Sequence, residues 1–255
     1  MLLVIDVGNT NTVLGIFENE QLLVNWRIRT IRDATADEFN VLVNALFSDM
    51  EVDTRKISQT IISSVVPPVV SILSAWCSRY LSKAPVWVDS DSVKTLMPIR
   101  YSNPAEVGAD RIVNAVAAYN RYKKEMIIID FGTATTFDAI SDKGEYLGGA
   151  IVPGIMISSE ALFHNASKLP RVEIFTPPPG VIGKNTSDSI KSGIIFGNAA
   201  LVDGMVHRMA KEMKGLPLVI ATGGLAPVIA GVSETIEHVD DSLTLEGLRL
   251  IAAAM

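Results

Sequence analysis

The chain has 255 residues, 48% of them hydrophobic and 20% charged, a globular balance that fits one large domain or two smaller ones around a shared core. A net charge of −6 without a long basic run argues against nucleic-acid binding, which needs clustered Lys and Arg. One cysteine, Cys77, excludes an internal disulfide framework, and no apolar run reaches the roughly 18 residues of a membrane span.

Leu3-Val4-Ile5 is an apolar β-type run that enters Asp6-Val7-Gly8-Asn9-Thr10 and returns through Asn11-Thr12-Val13, a strand, a tight turn and a second strand. A charge as early as Asp6 also breaks any signal-peptide apolar region, so a cytoplasmic protein is expected. Gln21 to Thr30 is strand-like after the polar turn Glu18-Asn19-Glu20. Thr35-Ala36-Asp37-Glu38 is a capping box, followed at helical spacing by Phe39, Leu42, Val43, Leu46 and Phe47. Thr60 to Val66 predicts a strand stopped by Pro67-Pro68. Val69 to Leu81 predicts a helix with Val70, Leu73, Trp76, Cys77 and Tyr80 on its apolar side. Val86-Trp87-Val88 is a short strand, and Gly108 to Tyr122 a helix linking two halves.

The second half repeats the plan. Met126–Phe131, Thr135–Ile140 and Tyr146–Val152 predict three consecutive strands, with a helix after Pro153-Gly154. Thr176-Pro177-Pro178-Pro179-Gly180 is a loop. Ser187 to Lys214 is largely helical despite Gly193, Gly197 and Gly204. Leu218 to Ala221 is a strand entering Thr222-Gly223-Gly224, and Leu245 to Ala254 a closing helix. The echo of Asp6-Val7-Gly8-Asn9-Thr10 in Asp130-Phe131-Gly132-Thr133-Ala134 lies half a chain away, so two related lobes are expected, 1–115 and 116–255, each a mixed sheet flanked by helices.

Asp6, at the end of a buried strand beside a Gly turn, needs a partner. The turn offers backbone N–H groups, a hydroxyl and an amide to phosphate oxygens, and the carboxylate suits hydrated Mg²⁺. An ordinary hairpin in which Asp6 caps its own turn is the alternative. The second turn, from Asp130 to Thr136, shifts the balance: two such turns facing each other would clamp a polyphosphate, and phosphoryl transfer needs mainly positioning and charge neutralisation. Asp110 opens the helix after Gly108-Ala109. It is either a helix cap paired with Arg111 or a general base, with Arg111 on an anionic substrate group. His164, His207 and His238 lack metal-ligand spacing.

These motifs together resemble the type III pantothenate kinases, a branch of the acetate kinase, sugar kinase, Hsp70 and actin superfamily, over essentially the whole chain. The resemblance rests on Asp6–Thr12, on Asp130–Asp138 and on Ala221–Ala226. It is narrowed by Tyr101-Ser102-Asn103-Pro104, by Glu106–Arg111 and by Gly183-Lys184-Asn185-Thr186. It implies an α/β fold of two actin-like (ribonuclease H-like) lobes with an interlobe cleft, and ATP-dependent phosphorylation of pantothenate. Carried over residue by residue, Asp6, Val7, Gly8, Asn9, Thr10, Asn11, Thr12 and Val13 contact ATP, and Thr133 touches its phosphates. Asp110 is the catalytic base. Tyr101, Gly108, Ala109, Asp110, Arg111 and Thr186 hold pantothenate, and Asp130 binds a monovalent cation, K⁺ or NH₄⁺. The resemblance also implies a homodimer with the substrate pocket at the subunit interface. Two rivals follow from the same residues: another superfamily kinase or phosphatase acting on a sugar or polyphosphate, and an accessory protein without kinase activity. The presence of Asp6, Asp110 and Asp130 argues against the second.

Overall fold

Burial on both faces makes β1 (Leu2–Val7) the centre of the first sheet: Leu3, Val4 and Ile5 are buried in succession, with Leu3, Ile5 and Val7 on one face. The chain turns at Gly8–Thr10 into β2 (Asn11–Glu18) and at Asn19, which takes a left-handed conformation, into β3 (Gln21–Arg29). After the helix α1 (Ala36–Asp49), β4 (Gln59–Ser64) pairs parallel with β1. The helix α2 (Pro67–Tyr80) then leads to β5 (Val86–Trp87), parallel to β4, which completes the order β3-β2-β1-β4-β5.

The capping box is present: the Thr35 hydroxyl accepts from Glu38 N–H and the Glu38 carboxylate accepts from Thr35 N–H. Pro67 and Pro68, expected only to stop a strand, also start α2, where a missing N–H costs nothing. The buried face of α2 is Val69, Leu73, Trp76 and Cys77, whereas Val70 and Tyr80 are exposed. Val69, one turn before Leu73, takes the place expected of Val70, and Tyr80 is the last residue of the helix.

The structure, a computed structural model, describes residues 1–255, and the chain falls into two units, Met1–Ala117 with Leu243–Met255, and Ala118–Ser242. The division lies inside α3 (Ala109–Tyr122), two residues beyond the expected boundary at 115. The closing helix α7 (Leu243–Ala253) belongs to the first unit rather than to the second. Its apolar face finds its partner there: Leu245 approaches Gly15 of β2, and Gly247 packs on the Val113 backbone of α3.

The second unit repeats the first. β6 (Met126–Phe131), β7 (Ala134–Ile140) and β8 (Tyr146–Pro153) form the antiparallel part. β9 (Leu218–Thr222) pairs parallel with β6, and β10 (His238–Val239), a strand the sequence does not announce, pairs with β9. The order β10-β9-β6-β7-β8 matches the first sheet strand for strand. The helices α4 (Ile155–Asn165), α5 (Thr186–Ala210) and α6 (Ala226–Ala230) fill the connections. α5 runs unbroken for 25 residues. Ile195, Ala199, Val202 and Val206 anchor it in the core, while a methyl added at Gly193, Gly197 or Gly204 would meet nothing.

Candidate active site

The C-terminal edge of β1 and β4 gathers the first set of candidate residues. Ligands of α/β sheets commonly bind at such an edge. Asp6 is the penultimate residue of β1, and its register partners are Val13 on β2 and Ser63 on β4. All three therefore share one face of the sheet. The Gly8 N–H donates to Asn11 O at 3.0 Å and closes the turn. Asn9 and Thr10 are exposed at its tip, while the side chains of Val7 and Thr12 face the core. Within the carried-over segment, Val7 can thus offer a ligand only its backbone.

Ser63, inside a buried strand, carries no functional signal in the sequence. It is fully buried, and its hydroxyl has no hydrogen-bond partner. Buried polar atoms rarely stay unsatisfied without a reason.

The start of α3 reaches the same edge. Val65, just past β4, donates its N–H to Val7 O at 3.1 Å. Its side chain lies 3.7 Å from where a Cβ on Gly108 would stand, and an Asp110 carboxylate oxygen lies 2.6 Å from that same point. The missing side chain at Gly108 leaves room for the carboxylate. Asp110 Oδ1 accepts the Arg111 N–H at 2.8 Å. Burial raises the Asp110 pKa above the ordinary carboxylate value; the Arg111 N–H and the Arg111 charge oppose the shift without cancelling it. Asp110 thus occupies the first helical turn and carries a raised pKa. Ala109 and Arg111 are buried, and Tyr101 is exposed on the loop before the Pro104–Glu106 turn.

The second unit holds the other candidates. Asp130 is the penultimate residue of β6, paired with Thr136 on β7 and with Thr222 on β9, as Asp6 is with Val13 and Ser63. The Gly132 N–H donates to Ala134 O at 3.1 Å, closing a turn like that at Gly8. Thr133 is exposed at its tip. Asp138, two residues from Thr136, is buried and accepts from Tyr146 at 2.6 Å and from the Thr136 hydroxyl at 3.2 Å. Thr186 is the first residue of α5, exposed behind the cap Asn185, which accepts the Asp188 N–H at 2.9 Å. It belongs to the second unit, whereas Tyr101 and Gly108–Arg111 belong to the first.

Two features bear on ions. No group of three or more His, Cys, Asp or Glu side chains could hold a metal by itself. Mg²⁺ in phosphoryl-transfer sites typically takes one or two carboxylates and completes its shell with phosphates and water. Asp6 fits that pattern, and the unsatisfied Ser63 hydroxyl beside it suits a metal-bound water. At Gly223, whose φ is +92°, Asp130 Oδ1 and Phe131 O each lie 2.7 Å from where a Cβ would stand. Two oxygens converge on space only glycine leaves open, a donor set suited to a hard cation.

Residues 2–208 match the family model described as type III pantothenate kinase. A relative from Desulforapulum autotrophicum, named type III pantothenate kinase, is 72% identical over 252 residues, covering 99% of this chain and 96% of the relative. Among solved structures, component A of the (R)-2-hydroxyglutaryl-CoA dehydratase of Acidaminococcus fermentans aligns with a TM-score of 0.59 at 14% identity, covering 99% of this chain and 96% of that one. The ROK hexokinase of Thermus thermophilus aligns with a TM-score of 0.53 at 13% identity, covering 98% and 97%. These two likenesses concern the fold alone.

Proposed function

The chain belongs to the type III pantothenate kinase family, and on that premise we propose which of its residues carry the ATP-dependent phosphorylation of pantothenate to 4′-phosphopantothenate, the opening step of coenzyme A synthesis. The family's chemistry uses ATP with a divalent metal. The observation that carries the assignment is that Val65 joins the two segments within one unit: its N–H donates to Val7 O, and its side chain lies beside Gly108, over which the Asp110 carboxylate folds.

In this reading the Gly8–Asn11 turn and the Gly132–Thr133 turn each bind phosphate oxygens through backbone N–H groups and hydroxyls. Asp6 and Ser63 would hold the hydrated Mg²⁺, which neutralises phosphate charge when bound. Asp130, with Phe131 O, would hold the monovalent cation. Tyr101, Gly108, Ala109, Arg111 and Thr186 hold pantothenate, with Arg111 on its carboxylate. Asp110 accepts the proton of the primary hydroxyl as that oxygen bonds to the γ-phosphorus. The bond from the γ-phosphorus to the β-phosphate bridging oxygen breaks, and ADP leaves. A coupled ADP-release assay tests the whole reading. Turnover is expected with pantothenate, not with a panel of sugars, and to fall when K⁺ and NH₄⁺ are withheld. Equal turnover on a sugar would return the assignment to the wider superfamily.

We further propose a homodimer. Supporting it, Phe175, Val181 and Ile182 of the second unit are 62%, 65% and 78% exposed, an unusual display for large apolar side chains. Light scattering on the purified chain is expected to give twice the 27.5 kDa chain mass, and a monomer at micromolar concentration would refute it. No helix is long and apolar enough to cross a membrane.

A further inference from the structure

We propose that Arg32 is a phosphate-binding residue of the nucleotide site, held beside the first turn by Thr30 and Asn9. The inference rests on reading Gly8–Asn11 as a phosphate turn. The chain leaving β3 is tied to that turn at several points. The Thr30 N–H donates to Thr10 O at 3.0 Å, and the Thr30 hydroxyl donates to Gly8 O at 2.8 Å. The same hydroxyl lies 2.9 Å from the hydroxyl of Thr12, which is buried. These bonds hold the exit of β3 in register with the turn. Two residues further, Arg32 is exposed, and its Nη2 donates to Asn9 Oδ1 at 3.0 Å.

A guanidinium carries a planar fork of N–H donors, and one bond to an amide leaves most of that fork open. The amide oxygen of Asn9, occupied by Arg32, leaves its NH₂ group to donate elsewhere. Both side chains thus present donors at the tip of a turn whose own backbone N–H groups suit an anion.

The surrounding charge points the same way. Arg27 and Arg29 pair in register with Val13 and Asn11. Val13 pairs in turn with Asp6, so both arginines lie on the Asp6 face of the sheet, and both are exposed. In a chain of net charge −6, this edge concentrates three arginines beside a turn that contains no cationic residue. The chemistry that fits is a polyanion whose paired oxygens can accept from the planar guanidinium fork, the phosphate chain of a nucleoside triphosphate. Pantothenate, with one carboxylate, is assigned to a different segment.

The test uses the full chain as Arg32→Ala, Arg32→Lys and Gly8→Val. ATP affinity is measured by titration calorimetry, and KM for ATP and for pantothenate by steady-state assay. Losing a charge-assisted hydrogen bond is expected to weaken ATP binding about 10-fold or more in Arg32→Ala, with the pantothenate KM changed less than about 2-fold. Arg32→Lys should recover part of the loss, since it keeps the charge but not the fork. ATP affinity unchanged in Arg32→Ala while Gly8→Val abolishes binding would overturn the role of Arg32 alone. Unchanged affinity in Gly8→Val as well would remove the phosphate turn itself, and Arg32 with it.

Discussion

Asp110→Asn is expected to lower turnover by about 10²–10⁴-fold, the range for loss of a general base, while ATP still binds. The amide keeps the shape of the carboxyl group and can still accept the Arg111 N–H that Asp110 Oδ1 accepts at 2.8 Å. What it cannot do is take a proton. The stability effect has the opposite sign. Burial raises the folded-state pKa above the ordinary carboxylate range, outweighing the Arg111 N–H and charge. The folded chain therefore holds this proton more tightly than the unfolded chain does. Stability falls as pH rises from the unfolded value through the folded one, so above the unfolded value this group is a net cost to the fold. Asp110→Asn should accordingly melt at a higher temperature than the parent at pH 7. The difference should shrink toward zero as the pH drops below the unfolded value, where both states are protonated. Melting curves and turnover of one preparation check both halves. Turnover within a few-fold of the parent would remove Asp110 from the role of base. A lower melting temperature at pH 7 would show that the carboxylate is a structural cap instead. Activity and stability are opposed at this residue, a common mark of a functional site.

Much of the fold was legible because the sequence states it twice. The runs Leu3–Thr12 and Ile127–Thr136 carry the same order of apolar residues, Asp, Gly and hydroxyls, and the structure makes them the same hairpin at the centre of two sheets of one order. Local signals also held where the chemistry is local, as in the capping box at Thr35 and the first-turn place of Asp110. What the sequence hid depends on neighbours far along the chain. Ser63 reads as one more residue of a buried strand until the parallel register sets it beside Asp6. Thr30 reads as the last residue of an edge strand until its hydroxyl is found on Gly8 O. The closing helix α7 carries a clear apolar stripe, but a stripe does not say which sheet it covers. The two-residue β10 is too short for any period to show.

Gly154→Ala should reduce turnover by about 10²-fold, although no ligand contact is assigned to this residue, because misplacing a reacting group by about 1 Å can cost that much. Gly154 stands between β8 and α4 as the N-cap of that helix. A Cβ there would lie 2.2 Å from Thr133 O, 2.7 Å from Gly132 O and 2.8 Å from the Thr133 carbonyl carbon. Its neighbours are backbone atoms of a closed turn, so no side chain can rotate away. Either the Gly132–Thr133 turn or the start of α4 must move, by about 1 Å to restore ordinary contact. Overpacking of this kind typically costs about 1–3 kcal/mol of stability, so the variant should still fold. Gly193→Ala is the control: a methyl there meets nothing within 4 Å, and in a helix interior it should stabilise by about 0.5–1 kcal/mol with turnover unchanged. ATP titration separates the causes, since a displaced phosphate turn weakens ATP binding, whereas a general loosening of α4 does not. Parent-like turnover in Gly154→Ala, in a chain shown by melting to be folded, would mean that the Thr133 turn tolerates displacement and does not position the phosphates.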